Sequence, residues 1–445
     1  VYLTGNPKVT FFQAVYKRHT NFAMETIQQT LNGTVGNNNR VSVTIARNGD
    51  LVGYMYVELV PADSLKYTST DAAKDVNWMA ERAFSAIELT IGGQRIDKHY
   101  QTWWRLYSEL FLSDEAKVKY GKMTTGAAKS ATAGTAPTTD NSSRVYLPLL
   151  FFFNRNPGLY LPLIALQYHE VRLDFDCAAN FSDYFATTVQ PVVWANYVFL
   201  DTEERRRFAQ KSHEYLIEQV QHTGGDSVPT PSSVSAASTA TIRLSLNHPV
   251  KELVWCYQDS GYTQSSGVKT NGLWNFSSNC SNVQVTIDTA FGLPSQNTLA
   301  FLQTTGVPRI LVTTDAKSAQ QIEEGLPVAA AGTVCGAEVG PLATFKLILN
   351  GQDRFKEQPG KYFNQIQPFY HHTGNPYPGI YNYSFALHPE EHQPTGTCNF
   401  SRIDNAQVSI NLKSSAAVNK VQKLFAVNYN VLRISSGMGG LAFSN

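Results

Sequence analysis

Two stretches of this 445-residue chain, about half its length apart, repeat each other in the same order. Four pairs of short segments match, and chance seldom produces four matches in one order. The duplication therefore predicts two copies of one β-rich domain, which suits a tiled surface better than a single active site. In order, the matched segments are 87–94 with 345–352, 153–157 with 385–389, 171–175 with 408–412, and 196–200 with 428–432.

The first matched pair shows the pattern most clearly. In 87–91 and in 345–349, apolar residues recur at every second position, which is the period of a half-buried strand. Each run leads into a glycine followed by a glutamine, Gly93-Gln94 and Gly351-Gln352. A glycine that recurs at the end of both strands predicts a turn or bulge with positive φ.

The same alternation marks further strands. The strands 41–46 and 51–60 are separated by Asn48-Gly49-Asp50, which is a hairpin signal. A second pair of apolar strands, 242–246 and 253–257, follows the same plan with a weaker turn between them. These segments predict antiparallel sheets that are half-buried.

Helices and loops fill the remainder of the chain. Apolar residues of 103–111, among them Trp103, share one face of a short helix that we expect to lie against a core. Long polar stretches predict surface loops between strands rather than separate domains. These stretches are 122–143, 223–240 and 260–340, and 61–84 is a further loop. Two short segments, 283–287 and 310–312, could be extra strands within the longest stretch.

About eight strands per copy, few helices and long loops at the strand ends are typical of jelly rolls. We predict an all-β fold of two consecutive eight-stranded antiparallel jelly-roll sandwiches, a double jelly roll with long inter-strand loops and short helices. The join falls within 201–212, and we assign the domains as 1–205 and 206–445. This range contains Arg205-Arg206-Arg207, which we expect to be a salt-bridged segment beside Glu203-Glu204. An immunoglobulin-like sandwich is the alternative, but copies of roughly 200 residues are too large for it.

The composition excludes some classes of function. Only 16% of the residues are charged, against about 25% in an average protein, so much of the surface is expected to be covered by neighbouring subunits. The net charge of +1 gives no field that would attract nucleic acid or an anionic membrane. Five scattered cysteines indicate a reducing compartment, and the prolines in the apolar stretch 145–166 exclude a membrane-spanning helix.

Two histidine motifs might suggest a metal site, but neither has the right context. His388-Pro-Glu-Glu-His392 has the H-x-x-E-H pattern of some zinc peptidases, yet Pro389 prevents the helix that this chemistry requires. His371-His372 precedes a turn, and we expect both to be solvent-exposed loop histidines. We therefore predict no catalytic, cofactor-binding or metal-binding residues.

Asn-x-Ser/Thr sequences are candidates for surface glycosylation, although ordinary glycosylation requires the secretory pathway. The candidate residues are Asn32, Asn141, Asn180, Asn275, Asn279, Asn382 and Asn399.

Several segments resemble the major capsid proteins of large nucleocytoplasmic DNA viruses, especially those of the chlorella-virus (phycodnavirus) type. The resemblance is dense and runs from end to end. It is carried by Tyr2-Leu-Thr-Gly-Asn-Pro7, Val15-Tyr-Lys-Arg-His-Thr-Asn-Phe-Ala23, Ile91-Gly-Gly-Gln-Arg-Ile-Asp-Lys-His-Tyr100, Leu163-Ile-Ala-Leu-Gln-Tyr-His-Glu-Val171, Gly396-Thr-Cys-Asn-Phe-Ser-Arg-Ile-Asp-Asn405 and Ser436-Gly-Met-Gly-Gly-Leu-Ala442.

The resemblance implies a structural virion protein with a double jelly roll. Its homotrimers would form pseudo-hexagonal capsomers that tile an icosahedral shell, assembled in the host cytoplasm. The implied partners are further copies of the chain, minor capsid and penton proteins, and surface glycans. An inner membrane would lie beneath the shell, with no membrane insertion and no direct contact with nucleic acid.

A carbohydrate-binding or carbohydrate-hydrolysing jelly-roll protein is the alternative. Its support is the abundance of Trp, Tyr and scattered carboxylates, and a glycosidase would need two carboxyl groups about 5–10 Å apart. No spaced carboxylate motif stands out in the sequence.

Overall fold

The computed structural model describes most of the chain, with the largest gap at 260–339. The described residues are 2–62, 66–67, 78–124, 129–130, 144–229, 239–259, 340–374, 376, 379–413 and 420–443.

Antiparallel strands of the first half form a sandwich of two sheets. The strands are β1 (Phe22–Gln29), β2 (Leu31–Asn32), β3 (Arg40–Thr44), β4 (Leu51–Leu59), β5 (Lys66–Tyr67), β6 (Phe84–Ile91), β7 (Gln94–Tyr100), β8 (Lys129–Ser130), β9 (Val145–Pro148), β10 (Leu161–Pro162), β11 (Val171–Cys177) and β12 (Val192–Leu200). One sheet has the order β1-β12-β4-β10, with β9 also paired to β4, and the other has the order β2-β3-β11-β6-β7. The short strands β5 and β8 pair separately in parallel, so they bring together two of the predicted loops.

The second half repeats this architecture. Its strands are β13 (His213–Val228), β14 (Thr239–Leu244), β15 (Pro249–Asp259), β16 (Leu342–Leu349), β17 (Gln352–Asp353), β18 (Gln358–Pro359), β19 (Ile380–Ser384), β20 (Cys398–Asn399), β21 (Ala406–Leu412), β22 (Lys420–Ser435) and β23 (Met438–Leu441). One sheet has the order β13-β22-β15-β19, and the other has the order β14-β21-β16-β17. The strands β1, β12 and β4 therefore correspond to β13, β22 and β15, and the predicted double jelly roll is confirmed.

Helices are short and lie between strands. The α-helices are α1 (Gln101–Leu110), α2 (Asp114–Thr124), α3 (Phe152–Arg155), α4 (Phe181–Tyr184), α5 (Thr202–Gln210) and α6 (Gln367–His371). A π-helical turn, Tyr362–Ile366, leads directly into α6. Shorter 3-10 turns cover Met79–Arg82, Pro157–Leu159, Leu163–Ala165 and Phe400–Arg402.

Each sandwich has its own apolar core. In the first, Val43, Leu89 and Leu173 are fully buried between the two sheets. In the second, Trp255 stacks on Phe345 with a centroid distance of 4.4 Å, and both side chains are fully buried. The alternation seen in the sequence therefore sorts side chains into core and surface, as the period-2 rule requires.

The structure corrects the alignment of one pair of matched segments. Leu173 pairs with Leu89 in the first copy, and Val408 pairs with Leu347 in the second. Since Leu89 and Leu347 are equivalent, Val408 corresponds to Leu173 and not to Val171, as the sequence match implied. A shift of two residues keeps every side chain on the same face, so the alternation alone cannot detect it.

The hairpin predicted at Asn48-Gly49-Asp50 is wrong. Strand β3 pairs with β2 and β11, whereas β4 belongs to the opposite sheet, so the chain crosses between sheets here. The corresponding segment of the second copy also crosses, from β14 to β15. Gly49 is required by close approach rather than by a turn, because a Cβ at this position would lie 2.8 Å from the Cβ of Tyr197.

The predicted glycine turns are confirmed. Gly93 and Gly351 both have positive φ, at 83° and 79°, and each joins two antiparallel strands. The predicted loop 122–143 begins later than expected, because α2 continues to Thr124. Residues 131–143 and the long insertion 260–339 lie outside the described part of the chain.

Helix α5 connects the two sandwiches. The boundary between 205 and 206 falls inside this helix, and we keep 1–205 and 206–445 as the proposed division into domains. Arg206 pairs with Glu203, as the charge pattern suggests, at 3.6 Å. Arg205 instead lies 2.9 Å from Asp50 of the first sandwich, and this ion pair connects helix α5 to that sandwich.

Candidate functional site: the junction between the sandwiches

One sheet of the second sandwich is buried on both faces. Leu253 and Trp255 of β15 point into their own core, while Val254 and Cys256 point the other way, and all four are fully buried. The outward face is covered by the first sandwich, mainly by α1 and α2. A strand buried on both faces appears in sequence as a continuous apolar run, and Leu-Val-Trp-Cys-Tyr at 253–257 is such a run.

The apolar face of α1 packs on the outward face of this sheet. Trp103, Leu106 and Leu110 pack in one cluster with Ile380 and Phe425 of the second sandwich. The rings of Trp103 and Phe425 lie 5.6 Å apart. Each large apolar side chain buried in this way contributes roughly 1.5–3 kcal/mol. The prediction that Trp103 lies in a core is confirmed, and that core is shared between the two sandwiches.

A buried network of charged side chains links α1 and α2. Arg105 lies 3.0 Å from Oε1 of Glu109 and 3.7 Å from Oε1 of Glu81. Lys117 of α2 approaches the other oxygen of Glu109 at 3.6 Å, and the hydroxyl of Tyr120 donates to Glu81. Burial raises the pKa of Glu81 to about 7, although the charge of Arg105 opposes the shift. These pairs fix the two helices that form one side of the junction.

A second ion pair crosses the junction itself. Arg155 of the first sandwich lies 3.2 Å from Glu218 of β13, and Lys251 of β15 lies 2.5 Å from the same carboxylate. Burial alone would raise the pKa of Glu218, but Lys251 and Arg155 together outweigh it and lower the pKa. A hydrogen bond also crosses the junction, in which the side chain of Asp97 accepts from the backbone N–H of Val220 at 3.1 Å.

His372 is held between two carboxylates at the edge of the junction. Its Nε2 lies 2.8 Å from Glu252 and its Nδ1 lies 3.1 Å from Glu390. Because both ring nitrogens face carboxylate oxygens, the geometry requires the doubly protonated ring. Burial lowers the pKa of His372, but the charge of Glu252 and the hydrogen bonds to both carboxylates raise it to about 9. The ring also contacts Phe111, which follows α1, at 4.9 Å.

The expectation that His372 is exposed to solvent is therefore wrong. Its side chain has no exposed area. Its partner Glu252 lies 120 positions away in sequence, so only the fold brings the two side chains together. The segment His388-Pro-Glu-Glu-His392 is not helical, as Pro389 predicted. Its Glu390 has a structural role, since it accepts from His372 and from the N–H of Thr373 at 2.9 Å.

Replacing Gly374 by Ala should destabilise the junction. Gly374 donates its N–H to the carbonyl of Leu110 at 3.0 Å. An added Cβ would overlap the carbonyl oxygens of Glu109 and Leu110, which belong to a helix and cannot move aside. We expect a loss of about 1–3 kcal/mol in the free energy of unfolding, measured by urea titration. Gly158→Ala is the control, because only the side chain of Asn156 comes near there, and equal losses in both variants would contradict the prediction.

His372 also predicts a pH dependence. Its folded pKa of about 9 lies above the unfolded value of about 6.5, so its stabilisation is complete below pH 6.5 and is lost as the pH rises through 9. The expected loss is on the order of 3 kcal/mol. Subtracting the profile of His372→Gln from that of the native chain isolates this effect from the titration of Glu81. If the two profiles run parallel between about pH 6 and 9.5, the ring is not charged as described.

The candidate glycosylation residues lie in different environments. Asn180 and Asn382 are 6% and 0% exposed, so neither side chain is available in the folded chain. Asn32 is exposed at the end of β2, and Asn399 is half-buried with its side chain accepting from the N–H of Ser401. Asn141, Asn275 and Asn279 lie outside the described residues.

Within the described ranges, no group of three His, Cys, Asp or Glu side chains is arranged to hold a metal ion. In the same part of the chain, none of the helices combines the length and the apolar character that crossing a bilayer requires. Cys177, Cys256 and Cys398 are free thiols. The junction packs the two similar sandwiches against each other.

Comparisons with known proteins agree with this geometry. Residues 10–201 match the family model described as "Major capsid protein N-terminus", and residues 204–440 match "Large eukaryotic DNA virus major capsid protein". The major capsid protein of Paramecium bursaria Chlorella virus 1 is 42% identical over all of this chain and 97% of its own length. That of Phaeocystis pouchetii virus is 40% identical over the same shares.

Solved structures give the same result. The chain in a quasi-atomic model of the PBCV-1 virus capsid is 38% identical, with a TM-score of 0.72 over 98% of this chain and 100% of that one. The Faustovirus major capsid protein is only 14% identical but has a TM-score of 0.64 over 96% of this chain and 93% of that one, which shows a shared fold.

Proposed function

Because the chain belongs to the family of large eukaryotic DNA virus major capsid proteins, we propose that three copies form a pseudo-hexagonal capsomer, the repeating block of an icosahedral shell. Family membership establishes the broader role: the protein is a structural component of the virion capsid, it associates with further copies of itself, and it is not an enzyme. The carbohydrate-active alternative is thereby set aside.

The duplication packed through the junction is the observation that supports a trimer. Two similar sandwiches per chain, taken three times, place six similar units around a ring. Such a ring has an almost six-sided outline although its true symmetry is threefold, so it can pave a nearly flat sheet. A ring of three uses a head-to-tail contact that closes on itself, and permanent contacts of this kind commonly bury about 2,000–5,000 Å².

The mass of the purified protein tests this proposal. Light scattering coupled to size exclusion should give three chains of 49.3 kDa, about 148 kDa, over a wide range of concentration. A stable monomer, or a closed ring of another number of chains, would contradict the proposed capsomer.

Further partners follow from the same proposal. Trimers would contact one another and would also contact minor capsid and penton proteins in a shell assembled in the host cytoplasm, above an inner membrane. Among the candidate glycosylation residues in the described chain, the exposed Asn32 is the one that we propose as a glycan site. Mass spectrometry of peptides from virions would show the added sugar mass on the peptide that contains Asn32, and an unmodified peptide would exclude it.

A further inference from the structure

The N-terminal arm, defined as residues 2–21, makes little contact with the remainder of its own chain. Its aromatic side chains stand in solvent: Phe11 is 94% exposed, Phe12 is 99% exposed and Tyr16 is 87% exposed. Soluble proteins seldom leave a run of large apolar side chains uncovered, and exposed apolar surface of this size marks an interaction site.

The strand that follows the arm is also open. Phe22 and Met24 of β1 are 57% and 49% exposed, even though β1 pairs with β12 along its whole length. In the described chain, β1 forms the end of its sheet, so its outer edge has no neighbouring strand. The arm and the outer edge of β1 together form one continuous surface with exposed apolar side chains, which the described chain leaves uncovered.

A second exposed apolar surface lies on the other sandwich. The aromatic patch, defined as Ile366, Phe369, Tyr370 and Leu387, is 45–79% exposed. The rings of Phe369 and Tyr370 contact each other at 5.1 Å, and His371 holds the loop of Leu387 against α6 through a 3.1 Å hydrogen bond. The patch is therefore a fixed surface rather than a loose loop.

The charges of the two surfaces are opposite. The arm carries Lys8, Lys17 and Arg18 and no Asp or Glu. On the loop that supplies Leu387, Glu390 is paired with His372, while Glu391 is exposed with no ion pair in the described chain. Glu391 is therefore the carboxylate beside the patch that a cation of the arm can approach.

We propose that the N-terminal arm of one copy binds the aromatic patch of a second copy within the capsomer. The aromatic side chains of the arm, Tyr2, Phe11, Phe12 and Tyr16, would bury their exposed apolar surface against the patch. At about 3.3 Å per residue, 20 residues reach up to about 66 Å, which is far enough to reach a neighbouring chain. The inference rests on the proposed trimer, since a monomer offers no second patch.

A photo-crosslinking amino acid at position 12 tests the contact. Full-length protein carrying benzoylphenylalanine in place of Phe12 is purified as the trimer and irradiated. We expect a crosslinked dimer band on a denaturing gel, and mass spectrometry should place the crosslink in 362–371 or 387–391. Crosslinks within one chain, crosslinks to another surface, or no crosslink in an intact trimer would overturn the inference and leave the trimer standing. The absence of any trimer would overturn both proposals.

Substitutions in the patch make the test specific. Phe369→Ser with Tyr370→Ser changes only exposed side chains, so folding should be unaffected, as circular dichroism would verify. We expect the crosslink to disappear and the concentration at which trimers dissociate to rise at least tenfold. Tyr168→Ser is the matched control, because Tyr168 is 76% exposed and lies outside the patch. Equal crosslinking in the native and the double-Ser protein would contradict the assignment.

Discussion

Leu89→Asp should abolish the folded protein. Leu89 is fully buried at the centre of β6, where it pairs with Leu173 across the sheet. An aspartate there would place an unpaired charge between two sheets, at a cost of at least about 5 kcal/mol, which is comparable to the whole stability of many domains. We expect insoluble protein or loss of the cooperative melting transition.

The duplication supplies a matched test. Leu347 is equivalent to Leu89 and is also fully buried, so Leu347→Asp should have the same effect. Thr90→Asp is the control, because Thr90 is only half-buried on the opposite face of β6. A soluble Leu89→Asp trimer with a native melting temperature would show that the first core is not the one described.

Arg105→Ala should produce the second large effect. Its guanidinium lies within 4 Å of both Glu81 and Glu109, and all three side chains are almost fully buried. Removing one partner of a buried ion pair leaves an uncompensated charge and typically costs about 3–5 kcal/mol. Urea unfolding monitored by Trp fluorescence should show the loss, because Trp103 lies on the same helix.

An exposed pair is the natural comparison. Arg206→Ala removes the surface pair with Glu203, in which both side chains are more than half exposed, and should cost about 0–1 kcal/mol. Adding Glu81→Gln to Arg105→Ala should restore part of the stability, because Glu81 loses the guanidinium at 3.7 Å in the single variant, whereas Glu109 keeps its pair with Lys117. A cost for Arg105→Ala no larger than that of Arg206→Ala would contradict the described network.

The sequence predicted the architecture well because the information is local. Period-2 alternation gave the strands around Leu89 and Leu347, and the recurring Gly93 and Gly351 gave their turns. The duplicated order of these signals predicted two copies of one sandwich. These signals are distributed over both halves of the chain rather than concentrated in one motif.

The sequence did not predict which of the two sheets each strand joins. The alternation of β3 and β4 is the same whether they form a hairpin or lie in opposite sheets, so Asn48-Gly49 does not distinguish a hairpin from a crossing between sheets. The two-residue shift at Val408 was hidden for a similar reason, because it preserves the inward face.

The junction could be anticipated only in part. The apolar run at 253–257 indicates a strand buried on both faces, and the apolar face that contains Trp103 indicates a helix that must cover something. Their mutual contact cannot be read from either segment. The ion pairs of the junction are still harder to predict, because Glu252 and His372 come into contact only in the folded second sandwich.

A three-dimensional reconstruction of the purified assembly by cryo-electron microscopy tests the central claim most directly. We predict six similar sandwiches arranged around a threefold axis, two from each chain, with the junction inside each chain intact. A closed assembly without six such units, or one in which the two halves of a chain separate, would contradict it.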